Sequence, residues 1–352
     1  MDYYFSVPED VPNYNYLNIS CDERVIPPAA EFINKLGAFG ATFVSIGTIL
    51  TVATIALAAD ASYHIFLQQE TKFYKKSIFI ILWVYPIAST CSLIALSIPR
   101  AQLLSEAITQ ITLSISMYRL YRVIIEISKK KVTETTTMLL NVGPCCCWPG
   151  LPFPSLQLND ANLSWLQIIV FQFPIIQGIL YIILLTMYIE DPVFYTSYNV
   201  FLQPLCITSI LFALYGLNIA VMTMKQVYPE AKLQLKALVT QLVLCFSKLQ
   251  GFIIKILPAT GLFPCNPPIT PQLYANFTYN LLMVIEMLLL CYVARYVYKN
   301  HDNVNNKPTE ESSPRKVTLQ ESHCEENKTS TVGGINNNSH VQLPIKLVNM
   351  TA

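Results

Sequence analysis

Apolar residues in this chain gather into seven long runs, separated by short polar turns, and leave both ends polar. The runs cover about 39–59, 77–98, 101–125, 165–189, 198–222, 233–257 and 273–297. Each has the roughly 20 residues needed to cross ~30 Å of hydrocarbon at 1.5 Å per residue. The pattern predicts an all-α membrane protein, a seven-transmembrane helix bundle over residues 37–297. A polar tail, 1–36, precedes the bundle. Residues 298–352, rich in Asn, Ser, Thr, Lys and Glu, read as a disordered tail.

Polar positions inside the runs are spaced as helix faces. Gly40, Gly47, Thr54 and Ala61 lie seven apart on the first span and let another helix approach closely, within the bundle or from a partner. The third span is the most polar. Ser105, Thr109, Thr112, Ser116 and Arg119 share one face, and Gln102, Glu106 and Gln110 form a neighbouring stripe. The fourth span carries Gln172, Pro174 and Gln177. On the sixth, Gln234, Gln241, Lys248 and Lys255 make one stripe.

Lys255 can snorkel outward and Lys236 inward. Lys248 lies about 15 Å from the nearer end of its span, counted back from Pro258, too deep to snorkel. Glu286 on the seventh span sits at a comparable depth, Glu106 is shallower, and Asp60 ends the first span. Charges so placed are costly and either pair or serve function. Two readings therefore stand side by side: a Lys248–Glu286 ion pair, or an amine that receives the anionic head of an amphipathic solute.

Charge in the turns chooses sidedness. With the N-terminus outside, Lys72, Lys75, Lys76, Lys129, Lys130, Lys131, Lys225, Lys232 and Lys299 all face the cytosol, whereas the outer turns after the first span hold only Arg100. Asn18-Ile19-Ser20 then becomes an outer glycosylation acceptor, while Asn276-Phe277-Thr278 lies too near the membrane for use. Cys21 and Cys265 are the cysteines placed on the oxidising side, as a disulfide or as two free thiols.

Composition removes other classes. The chain is 53% hydrophobic and 13% charged with a net charge of +1, so no bulk attraction to nucleic acid is expected. It has no GxxxxGK[ST] loop for ATP, and His64 is the only histidine before residue 301, so neither a metal site nor an acid–base pair is signalled and no cofactor is expected. This speaks against an enzyme.

Gly143-Pro144-Cys145-Cys146-Cys147-Trp148-Pro149 stands out in the cytosolic loop, about 126–164, between the third and fourth spans. Three consecutive thiolates cannot all face one tetrahedral zinc ion. A disulfide does not suit a reducing compartment. Juxtamembrane cysteines are the usual palmitoyl acceptors, which makes Cys145, Cys146 and Cys147 acylation candidates. The alternative is an apolar hairpin tip resting on the bilayer.

Gly143-Pro144-Cys145-Cys146-Cys147 resembles the cysteine-rich loop of the organic solute transporter alpha subunits. Ile98-Pro99-Arg100 with Leu103 and Glu106, Asp60, Phe171-Gln172, Cys265-Asn266-Pro267-Pro268 and Glu286 are also similar to that family, over roughly residues 20–300. Relatives usually carry a longer cysteine run, which Trp148-Pro149-Gly150 cuts to three here. The resemblance implies a facilitative, sodium-independent carrier of bile acids and conjugated, sulfated steroids, working with a single-span beta subunit in the plasma membrane, basolateral in epithelia. For such amphipathic anions the path needs an apolar wall, from membrane lipid or an attached acyl chain, and a cation or dipole for the head. Lys248, Glu286, Glu106, Gln241, Arg119 and Gln172 are the candidate substrate-binding residues.

The rival is a G-protein-coupled-type receptor, which shares the span count. Such receptors show Asp/Glu-Arg-Tyr at the inner end of the third span, where this chain has Tyr118-Arg119-Leu120-Tyr121-Arg122, and Asn-Pro-x-x-Tyr in the seventh, which here lacks proline.

Overall fold

The computed structural model describes residues 27–131, 137–138, 156–157, 160–227, 233–263 and 269–299. The chain divides into two units, Met1–Asn306 and Lys307–Ala352, and every described residue belongs to the first.

All seven apolar runs are helices, and all but the sixth reach past their apolar stretch at one end or both. They are α1 (Ala29–Leu67), α2 (Lys72–Ser97), α3 (Gln102–Lys131), α4 (Asp160–Glu190), α5 (Pro192–Val227), α6 (Leu233–Ile256) and α7 (Pro271–Lys299). Six are long and apolar enough to cross a membrane by length and composition. The exception is α3, whose Ser, Thr, Gln and Arg positions are spent on the inside of the bundle.

Local chemistry sets the helix ends. Thr71 caps α2, its hydroxyl accepting from the Tyr74 amide at 3.3 Å. Ile98 is extended because Pro99 follows it, which stops α2 and opens the 3₁₀ turn Pro99–Ala101 into α3. Gly37 takes φ 58°, a value that favours glycine, and kinks α1 near its start. At the far end of α6 a 3₁₀ turn, Leu257–Thr260, closes on the left-handed Gly261.

In the bundle, α2 packs against α1, α3 and α7, while α3 touches α2, α4, α5 and α6. Tyr85, Leu113, Met117, Tyr121, Phe173 and Met287 fill the centre, each 1% exposed or less. The α1 stripe of small residues works inside the bundle: Gly40, Gly47, Thr54 and Ala61 are all buried. A Cβ on Gly47 would stand 3.2 Å from Leu93 Cδ1, so α1 and α2 lie close there. Thr51 and Ser89 share a hydroxyl–hydroxyl bond of 2.9 Å across the same seam.

Between α3 and α4 two short strands, β1 (Thr137–Met138) and β2 (Leu156–Gln157), pair antiparallel with Met138 opposite Leu156. The two strands bring the described ends of the α3–α4 connection together, with Thr137 opposite Gln157. Cys145, Cys146, Cys147, Asn18, Cys21 and Cys265 lie outside the described residues.

Candidate functional site

The polar stripes predicted on the third span turn toward the bundle interior. Ser105 and Thr109 are 4% and 6% exposed and Gln110 is 1% exposed. Together with Gln102 and Glu106 they form one wall of a narrow crevice with about 10 Å³ of free space. Ser92 of α2 and Tyr279, Asn280 and Met283 of α7 complete it. Asn280 Nδ2 donates both to Gln102 Oε1 and to the Asn276 carbonyl, tying α3 to α7 beside the crevice. Asn276 itself lies inside α7.

A chain of polar contacts runs from this crevice into the neighbouring helices. The Tyr181 hydroxyl on α4 donates to Glu106 Oε1 at 3.3 Å. Lys248 Nζ on α6 donates to the same hydroxyl at 3.4 Å and sits 5.8 Å from the ring centroid. Lys248 also reaches Cys206 Sγ at 3.9 Å on α5, and the fully buried Gln177 donates to that sulfur at 3.2 Å. A phenol thus stands between a carboxylate and an ammonium, and both groups the ammonium donates to are neutral.

The ion pair between Lys248 and Glu286 does not form. Lys248 turns toward α4 and α5 instead, because its stripe on α6 faces them: Gln241 Nε2 bonds Asn218 Oδ1 on α5 at 2.7 Å. Glu286 Oε2 is buried without a hydrogen-bond partner. Lys236, which the sequence allowed to snorkel inward, is 4% exposed, donates to the Tyr74 hydroxyl at 3.2 Å and lies 5.4 Å from the Tyr298 ring centre. Facing aromatics hold its ammonium inside the bundle.

The remaining candidates fall elsewhere. Gln172 joins α4 to α5, donating to the Ser209 carbonyl and accepting from the Ser209 hydroxyl, each at 3.0 Å. Arg119 is half-buried and lies about 20 Å along α3 from Glu106. Asp60 accepts from Arg295 Nε at 2.6 Å and lies 3.6 Å from His64, tying α1 to α7. Of the six nominated residues the structure brings together Glu106 and Lys248. Tyr181, Tyr279 and Asn280 were not singled out from sequence. A usable signal existed in Gln177 with Tyr181 and Asn276 with Asn280, polar pairs four residues apart on otherwise apolar spans.

No group of three or more His, Cys, Asp or Glu residues able to hold a metal occurs among the described residues. The arrangement offers hydrogen bonds and one half-buried cation, Lys248, to a guest, without the nucleophile–base geometry of a catalyst.

Comparison with known proteins agrees with this chemistry. The model of the family described as organic solute transporter Ostalpha matches residues 43–303, from α1 to just past the end of α7. Organic solute transporter subunit alpha of Danio rerio is 24% identical over 330 residues, covering 88% of this chain and 99% of the relative. The Homo sapiens subunit of the same name is 26% identical, with 79% and 84% covered. A Drosophila melanogaster protein, organic solute transporter alpha-like protein, is 24% identical, with 78% and 85% covered. No solved structure matches the chain. The chain therefore belongs to the organic solute transporter Ostalpha family, and it is a multi-pass membrane protein of solute transport, not an enzyme.

Proposed function

We propose that this chain is the alpha subunit of a facilitative, sodium-independent transporter of bile acids and conjugated, sulfated steroids. It acts with a single-span beta subunit at the plasma membrane, on the basolateral side of epithelia. The observation that carries the reading is Lys248, an ammonium deep in an apolar bundle whose hydrogen-bond acceptors are a phenol and a thiol. A carboxylate or sulfate adds the attraction of opposite charges to the ammonium's hydrogen bond, which a neutral phenol or thiol does not. An anionic head reaching Lys248 displaces Tyr181 and keeps the amine satisfied, and its departure returns the amine to the phenol. A site that can be satisfied both loaded and empty is what a carrier needs in order to release its cargo.

Seven spans crossing with the N-terminus outside place the crevice in the outer half of the bundle and the cysteine run in the cytosol. There Cys145, Cys146 and Cys147 carry acyl chains that supply apolar wall for a steroid body. Asn18 is glycosylated, and Cys21 pairs with Cys265 outside. Among the nominated residues Glu106 and Lys248 contact substrate directly.

Uptake of a radiolabelled steroid sulfate by cells expressing this chain alone, then with a candidate single-span partner, tests the reading. Uptake that requires both chains and persists when sodium is replaced supports it. Loss of uptake on sodium replacement, or no uptake with any such partner, overturns it.

A further inference from the structure

We propose that the crevice between α2, α3 and α7 receives a ring hydroxyl of the transported solute, and that Gln110 Oε1 is the atom that accepts its hydrogen bond. This deepens the carrier reading and rests on it.

Gln110 is 1% exposed, and its Oε1 is buried with no hydrogen-bond partner while its side chain lines the crevice. Buried acceptors are nearly always satisfied, because leaving one unmade forfeits the solvation it had in water. The surroundings define what would satisfy it. Ser92, Ser105 and Thr109 contribute hydroxyls, and Glu106 a carboxylate already accepting from Tyr181. None of these hydroxyls donates to Gln110 Oε1, which is left without a partner.

An anionic head brings only acceptors and meets the Glu106 carboxylate, so it does not belong there. A hydroxyl brings the missing donor. The two ends of the polar chain thus sort one solute: the anion goes to Lys248 and a hydroxyl to Gln110, with Tyr181 between them. Size agrees: the free space is about 10 Å³, close to that of one water-sized group, so the hydroxyl enters and the ring system stays outside. Gln110 is therefore a specificity-determining residue that favours hydroxylated over deoxy solutes.

The test uses the complex in cells. The reporter is a radiolabelled steroid monosulfate with no other hydroxyl, and the competitors are the unlabelled parent and isomers bearing one added hydroxyl at different ring carbons. On the unmodified protein at least one isomer should compete about tenfold better than the parent, the factor one net hydrogen bond supplies. In Gln110→Leu that preference should fall to within about twofold, while Gln110→Glu, which keeps an acceptor, should retain it. Equal competition by all isomers on the unmodified protein overturns the inference without any variant, and is also what a crevice filled only by water would give. Preference that survives Gln110→Leu at normal surface level overturns it as well. Absence of any reporter uptake is a different result: it removes the carrier reading itself, and this inference with it.

Discussion

Replacing Gln172 with leucine takes two hydrogen bonds out of the α4–α5 seam and none out of the crevice. Its amide donates to the Ser209 carbonyl and accepts from the Ser209 hydroxyl, both at 3.0 Å. Interhelical hydrogen bonds within membranes average about 0.6 kcal/mol, so the pair contributes about 1.2 kcal/mol. That corresponds to about a sevenfold shift in the unfolding equilibrium. Ser209→Ala removes one of the two bonds and should cost about half as much. The double variant should be no less stable than Gln172→Leu alone, since the shared bond is already lost. Reversible unfolding of the purified protein in mixed detergent measures these differences, and uptake kinetics per surface molecule complete the assay. Stability should fall in the stated order with KM unchanged. A severalfold rise in KM for Gln172→Leu at undiminished stability would refute a seam role and return Gln172 to the substrate path.

Other substitutions separate packing from transport. Gly216→Ala places a methyl 2.8 Å from Val170 Cγ2, so α5 must back away from α4 at about 1–3 kcal/mol, seen as a lower thermal midpoint and relieved by Val170→Ala. Lys248→Ala should cut uptake of an anionic steroid by about tenfold or more at normal surface expression, with Lys248→Arg retaining part of it; unaltered uptake by the alanine variant would remove the amine from the path. Serine at Cys145, Cys146 and Cys147 together should abolish hydroxylamine-sensitive acyl exchange, and exchange that persists would place the acyl groups elsewhere.

How much of this was visible beforehand follows from what periodicity encodes. The seven helices could be read off because twenty apolar residues in a row have few other uses. The α3 stripes could be read because residues three and four apart share a face, and Ser105, Thr109 and Gln110 are buried as that spacing implies. The inward use of the small-residue stripe on α1 was legible for the same reason.

Which helix each face meets was not legible. Lys248 and Glu286 looked like partners by depth, yet depth fixes position along a helix and not rotation about it, and α6 turns its amine toward α4. Lys236 was misjudged because aromatic neighbours, Tyr74 and Tyr298, come from two other helices. Tyr181 escaped notice since a tyrosine in an apolar span reads as lipid-facing or core until its hydroxyl is located. The β1–β2 pair, two residues long on each strand, leaves no periodic trace at all.

The central claim is that this chain, with its partner, lets amphipathic anions equilibrate across a membrane. Purified complex reconstituted into sealed vesicles, given a radiolabelled steroid sulfate with no sodium and no ATP, tests it most directly. Internal and external concentrations should become equal and go no further, and unlabelled solute preloaded inside should accelerate entry of label. Accumulation above the external concentration on imposing a sodium gradient, or vesicles that stay empty, would contradict it.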